Sequence, residues 1–585
     1  MREKTDTSRE GPELVSHPAD MEGFSDKVFF CRWVRHRVPL AHREELYHIL
    51  RMTGPLLLSR ILNYLLPFVV TMFCGRLGNK VMAGYGLASA TINVTTAATG
   101  YGLGLACDTL VSQTFGGRNL LRVGMILQRG IIILLLFCLP CWGLLINAQA
   151  ILLCLGQDPE VTRIAQLYIT GFIPAVPVSL SGCNNIVWFL CTQGIILPQM
   201  YTAAMANIAN VLTNYIFLYW LDLGVSGSAA ANTLSQIYIC AFLFAYIWWK
   251  RLHVTTWGGW SIESLQEWGS YMKLAIPSTL MKCFEWWVYE FGGFFAGMLS
   301  EDELAAQHAV IMVAFITYMF PLGIQAAACA RVGNALGAGD TARAILSSKV
   351  SLTLAGQLGL FSNIVVYMNC ASVSLVFEEF TAPLFQCVCT GIFLGTGKQK
   401  IPAVANLIGY YGIGLSLSVT LMFFAKLRVL GFWLGLLICV ILQSTFYIIV
   451  IFKLNWEQMT EEAVDRAQKN THMTLLSTDV LSDASVDGYM SVSTEHPDGT
   501  METQVGHGVQ QLKGGPLSTT QLILRRGLTM FAAVALLVVG VSVHFLVPLP
   551  QTPLSEANFT LDWINTTYTP DQIFPHALVP NEESD

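Results

Sequence analysis

The chain has 585 residues, length enough for several soluble domains, yet only 12% are charged and 53% are hydrophobic. Soluble proteins carry about 25% charged residues, so this balance excludes an ordinary soluble class. The formal net charge of −6 mixes two surfaces and identifies no partner, and nucleic acid is not expected as one.

Residues 1–45 are polar, show no cleavable signal peptide, and end in the basic run Cys31-Arg-Trp-Val-Arg-His-Arg37 with Arg43. Basic flanks stay on the cytosolic side, so this tail is expected inside. Thirteen apolar runs follow, each about as long as a hydrocarbon core is thick: 51–73, 84–107, 123–147, 162–190, 199–220, 226–249, 272–298, 304–328, 346–368, 375–394, 401–424, 430–453 and 528–549. Connections expected inside carry Arg118, Arg122, Lys250, Arg251, Arg343, Lys349, Lys398 and Lys400; those expected outside carry Asp158, Glu160, Asp222 and Glu301 to Glu303. Lys80, Lys426 and Arg428 run against this bias. The 15 cysteines lie mostly in apolar runs without a secreted disulfide spacing and read as small core residues.

An internal repeat organises the spans. Gly102 to Asn119 aligns without gaps to Gly323 to Asp340 at an offset of 221; Pro55 pairs with Pro277 and Gly75 with Gly297 at 222; Trp188 to Thr192 pairs with Ile392 to Thr396 at 204. Six spans separate the mates, so the two halves share one orientation, and an axis along the membrane normal should relate them. The falling offset makes the second half about 18 residues shorter between Asp340 and Phe393, which predicts a short tenth helix containing Pro383. The expected architecture is therefore an all-α polytopic membrane protein. It has a lobe over 46–250, a second lobe over 251–456, a disordered cytosolic linker over 457–524, a thirteenth transmembrane helix over 525–550 and an extracellular tail over 551–585. The linker assignment rests on its Ser, Thr, Asp, Glu and Gly content.

Ionisable groups inside spans are costly and call for a reason. The seventh span reads Lys282-Cys-Phe-Glu-Trp-Trp-Val-Tyr-Glu290. Glu285 and Tyr289 share one helix face, and Trp286 and Glu290 share the adjacent one. A carboxylate beside aromatic faces suits an organic cation, and a proton can compete for it, so Glu285 is the expected carboxylate shared by proton and substrate and Glu290 the lesser one. The structural alternative is an i, i+3 pair in which Lys282 neutralises Glu285. Asp108 reads equally as a coupling or gating residue and as a helix-end charge at the cytosolic surface. Asn93 and Tyr318 read first as interhelical contacts, Arg60 and Lys282 as cations snorkelling to the surface, and His308 as a core or pore residue. No phosphate loop, HExxH pair or hydrolase elbow is present, so no enzyme, metal site or cofactor is expected.

Ala106-Cys-Asp-Thr-Leu-Val-Ser-Gln-Thr-Phe-Gly116, Thr256-Trp-Gly-Gly-Trp-Ser261, Glu285 to Glu290, Arg331-Val-Gly-Asn-Ala-Leu-Gly-Ala-Gly339 and Gly395-Thr-Gly-Lys-Gln399 together make the chain resemble the multidrug and toxin extrusion (MATE) family, vertebrate members in particular. The resemblance runs from about residue 44 to 456 and again through the Arg525-Arg526 helix. It implies two six-helix lobes in a V, and antiport of organic cations against protons by a monomer in the plasma membrane. It also implies Glu285 and Glu290 as coupling or substrate residues, and a cavity lined by Trp286, Tyr289, Asn93 and Tyr318. Three departures stand out. Met312 replaces a glutamate of vertebrate relatives, Arg60 replaces a neutral polar residue, and the tenth-helix glutamate has no clear counterpart, Glu378 and Glu379 being the nearest acids. Sodium coupling, a lipid-linked or anionic substrate, a transport-impaired shortened variant and a non-transporting receptor or scaffold are the competing readings.

With the N-terminus inside, thirteen spans leave the C-terminus outside, where Asn558-Phe-Thr560 and Asn565-Thr-Thr567 are glycosylation acceptors. An epitope placed after Asn565 is predicted to stain on intact cells; staining only after permeabilisation refutes the thirteen-span count.

Overall fold

Helix is the regular structure of the described residues in this computed structural model, which covers 39–297, 299, 301–369, 374–468 and 519–548. The N-terminal basic run, most of the linker, both glycosylation acceptors and the side chains of Met312, His308, Glu378 and Glu379 lie outside what is described.

In chain order the helices are α1 (Leu40–Arg76), α2 (Asn79–Ile92 and Ala98–Gly116, joined by the π-helical turn Asn93–Ala97), α3 (Leu120–Ile146), α4 (Ala148–Cys154), α5 (Pro159–Phe172), α6 (Ala175–Thr192), α7 (Leu197–Tyr215, extended by Ile216–Trp220) and α8 (Gly224–Trp249). The second half continues with α9 (Trp268–Gly297), α10 (Glu301–Gly337), α11 (Thr341–Asn369), α12 (Ser374–Thr396), α13 (Lys400–Phe424) and α14 (Arg428–Lys453). Finally come α15 (456–468) and α16 (Thr519–Leu546). Seven of these (α1, α3, α6, α8, α13, α14 and α16) are long and apolar enough to cross a membrane by length and composition.

Three expectations need correction. The tenth helix is not short: α12 has 23 residues, about 34 Å of helix. The missing length lies in the connection, because the first half passes through α4 and α5 to reach α6 whereas the second goes from α11 to α12 across four residues. The linker does not begin disordered, since 456–468 is helical, and the last helix starts at Thr519 rather than 525.

The two halves meet most closely at the ends of α2 and α10. A β-carbon on Gly116 would stand 2.0 Å from the Asn334 carbonyl oxygen, one on Gly337 1.8 Å from that of Gln113, and one on Gly333 2.3 Å from Ser112 Oγ. No side chain fits there, so backbone touches backbone, the packing that small residues permit between membrane helices. Under the 221-residue offset Gly116 maps onto Gly337 and Gln113 onto Asn334, so the first two contacts are each other's repeat images. Bonds across the halves close the same region. Gln113 Nε2 donates to the Gly395 carbonyl at 2.8 Å, Thr109 Oγ1 to the Leu394 carbonyl at 2.9 Å, and Asn334 Nδ2 to the Thr192 carbonyl at 3.1 Å.

Helix α15 lies over this junction. Arg466 Nη1 donates to Gln113 Oε1 at 2.7 Å and Asn119 Nδ2 to the Ala467 carbonyl at 3.2 Å, while Lys398 Nζ holds Glu462 at 3.0 Å and the Thr341 and Thr460 hydroxyls share a bond of 2.7 Å. Partial burial works against ionisation of Glu462, but the Lys398 hydrogen bond and the Lys398 and Arg466 charges hold its carboxyl below the usual range. Helix α16 docks on α3 through Gly540 against Gly143, with Asn147 Nδ2 donating to the Gly540 carbonyl at 2.7 Å. Its Arg526 sits 4.2 Å over the Trp268 ring at the start of α9.

Two variants test the backbone contact. Gly337→Ala is predicted to lower the thermal midpoint in detergent, because the methyl group has no space. Gly54→Ala, with open space around it, should leave the midpoint level or raise it by the equivalent of about 0.5–1 kcal/mol. Equal midpoints for the two variants contradict the packing.

Candidate functional site

Above the glycine contact, α2 and α9 run antiparallel along the seam between the halves. Leu103 accepts from Tyr271 Oη at 3.0 Å, a β-carbon on Gly102 would lie 2.4 Å from Thr279 Cα, and Tyr101 stacks on Trp286 with ring centroids 5.9 Å apart and planes 22° from parallel. Moving back along α2 from Leu103 to Tyr101 therefore means moving forward along α9 from Tyr271 to Trp286, and the Asn93–Ala97 turn lies beyond Tyr101 as Glu290 lies beyond Trp286. Asn93 and Glu290 are both exposed, although Glu290 sits in crowded surroundings. Trp286 and Glu290 are i, i+4, so the face that reaches α2 carries the acid. π-Helical turns of the kind that Asn93 opens recur at functional sites.

Glu285 occupies a different environment on the same helix. It is buried, as is Lys282, whose Nζ donates to Glu285 Oε2 at 2.8 Å; Tyr318 Oη of α10 donates to Glu285 Oε1. The structure thus realises the paired alternative and overturns the expectation that Lys282 snorkels to the surface: it is 1% exposed. Tyr289 faces its own half, where its ring lies 6.1 Å from that of Trp433.

Asp108 is no helix-end surface charge. It is buried in α2 and accepts from Cys329 Sγ at 3.4 Å, and Cys329 is its own repeat mate, so the pair sits where the halves face each other. With Arg60, Tyr101, Trp188, Gln325 and Cys329 it lines a cavity of ≈ 10 Å³, room for about one water. Beneath it, toward the start of α1, Glu45 of α1 receives Arg331 of α10 twice, Nε to Oε1 at 2.8 Å and Nη2 to Oε2 at 2.5 Å, and Ser347 Oγ at 2.7 Å. At the opposite end ion pairs stay within a half: Lys80 with Glu160, and Arg428 with Glu303 at 3.2 Å. Among the described residues, ion pairs between the halves lie at one end of the seam only.

Of the residues singled out from sequence, the structure joins Glu285 with Tyr318, sets Trp286 on the seam against Tyr101 with Glu290 one turn further along α9, buries Asp108 and turns Tyr289 toward Trp433. Tyr101 and the Glu45–Arg331 pair were missed. Tyr101 directly precedes the repeated Gly102 segment, a signal that could have found it, whereas an ion pair spanning 286 residues leaves no local trace. Among the described residues no cluster of His, Cys, Asp or Glu could hold a metal.

A helical membrane protein of two sequence-related halves, with an acid-bearing seam locked at one end, has the build of a transporter. The comparisons agree. The MatE family model matches residues 55–216 and again 277–379, starting at the repeat mates Pro55 and Pro277. Multidrug and toxin extrusion protein 1 of Danio rerio is 43% identical over 570 residues, covering 89% of this chain and 94% of the relative. The protein of that name from Homo sapiens is 40% identical over 567 residues, covering 92% and 99%. The crystal structure of the eukaryotic MATE transporter AtDTX14 superposes with a TM-score of 0.68 at 23% identity, over 73% of this chain and 100% of that one. The chain belongs to the multidrug and toxin extrusion family, whose members are transporters and not enzymes.

Glu45→Ala is predicted to cost about 3 kcal/mol, the lower end for stripping the partner from a buried charge, read as a lower unfolding midpoint in detergent. An unchanged midpoint means that the lock carries no weight.

Proposed function

We propose that the protein exports organic cations across the plasma membrane in exchange for protons, by alternating access of a site between two six-helix lobes. The expected frame of twelve helices plus one, related by a twofold along the membrane normal, is supported by the reciprocal Gly116 and Gly337 contacts and by the touching mates Asp108 and Cys329. The N-terminus is proposed inside and the C-terminus outside. The positive-inside exceptions Lys80 and Arg428 fit that topology, since each has an acid partner. The working unit is proposed to be a monomer.

The observation that carries the reading is the accessible carboxylate of Glu290 on the helix face that meets Tyr101 through Trp286. A proton and an organic cation exclude each other at one carboxylate when both can reach it, and either one neutralises it for the return step. Glu290 is reachable; Glu285 is held by Lys282 and Tyr318. The geometry therefore favours Glu290 as the exchange carboxylate and Glu285 as the second acid, the reverse of the order suggested by sequence. Aromatic faces of Trp286 and Tyr101 offer cation–π attraction beside it.

In proteoliposomes, an imposed proton gradient should drive tetraethylammonium uptake without sodium. Glu290→Gln is predicted to abolish that dependence on the gradient while the protein still reaches the membrane. Gradient-dependent uptake at the wild-type level in Glu290→Gln contradicts the assignment, and a sodium requirement contradicts the proton coupling.

A further inference from the structure

The described ionisable side chains along the seam above the Glu45 lock are Arg60 of α1, Asp108 of α2, and Lys282, Glu285 and Glu290 of α9. Facing them are the neutral groups Tyr101, Tyr318, Gln325, Cys329 and Cys387. Two cations stand against three carboxylates. Lys282 is the cation that decides the balance near the substrate face, because its ammonium, 1% exposed, lies 2.8 Å from Glu285 Oε2 and occupies the place a substrate cation would take there.

We propose that Lys282 is a specificity residue. As a resident counter-ion it cancels Glu285 and leaves one uncompensated carboxylate, so the cleft accepts organic monocations and rejects organic dications. This rests on the cation-exchange reading above. A monocation at Glu290 brings the seam to neutrality. A dication leaves a surplus positive charge facing the Lys282 ammonium, eight residues or about 12 Å along α9, a range at which two like charges still repel by about a tenfold factor in binding. Remove Lys282 and two carboxylates are free for two positive charges.

The test compares tetraethylammonium with methyl viologen, a planar dication, by equilibrium binding to purified protein and by uptake into proteoliposomes. In Lys282→Met the preference for methyl viologen over tetraethylammonium should rise roughly tenfold, the effect of one added charge at this range. Lys282→Arg should keep the wild-type preference, and Lys282→Met/Glu285→Gln, with the wild-type charge balance restored, should return to it. An unchanged preference in Lys282→Met, or a raised one in the double variant, overturns the proposal. Should Lys282→Met alone fail to fold, Glu285→Gln decides. Its unpaired Lys282 should weaken tetraethylammonium binding about tenfold, and adding Lys282→Met should restore it; no restoration overturns the proposal. Binding preferences that shift as stated without any uptake count against the exchange reading and leave the role of Lys282 standing.

Discussion

Gly116 and Gly337 bring the backbones of α2 and α10 into direct contact, and the rest of the seam is arranged above that contact. Without β-carbons at these positions the helices approach until carbonyl oxygens fill the space a methyl group would need. The close approach sets Asp108 against Cys329 and shrinks the cavity beside them to the size of one water. It also aligns the carbonyls of Leu394 and Gly395 with the donors of Thr109 and Gln113. Helix α15 ties the two sides together from below.

A seam built this way has consequences for charge. Low dielectric makes each buried ion costly, and every one along the seam has a compensating neighbour: Glu45 with Arg331, Glu285 with Lys282 and Tyr318, Asp108 with the Cys329 thiol and the Arg60 charge nearby. Glu290 differs in being exposed, and among the described residues it makes no ion pair. Among the described residues, compensation is therefore complete for these buried acids and incomplete for the exposed Glu290. In the proposed exchange, that residual charge is what a proton or a cation answers.

Much of this was legible in the sequence, because its signals are local or periodic. The apolar runs located the helices, the 221-residue offset paired the two glycines at which the backbones of α2 and α10 meet, and spacing along the seventh span separated the face of Glu285 from that of Glu290. Lys282 misled because snorkelling is the usual fate of a lysine near a helix end; its burial depends on Tyr318 and on α10, 33 residues and more away. The length deficit was assigned to the tenth helix because an offset counts residues without saying where they fold, and the structure takes them from α4 and the α5 region. Helix α15 was hidden by composition, since a polar segment looks solvated until Gln113, Asn119 and Lys398 supply its partners. Long-range ion pairs such as Glu45–Arg331 have no sequence signature at all.

If the glycine contact is a seal and the site is served by alternating access, the C-terminal ends of α2 and α10 must separate during turnover. Spin labels carried by non-natural residues at Arg118 and Ala338, both exposed, report that separation as a distance distribution in proteoliposomes. The account predicts one short distance at rest and a second, longer population when a cation and an opposing proton gradient are applied together. A single short distance under every combination of cation and gradient contradicts it.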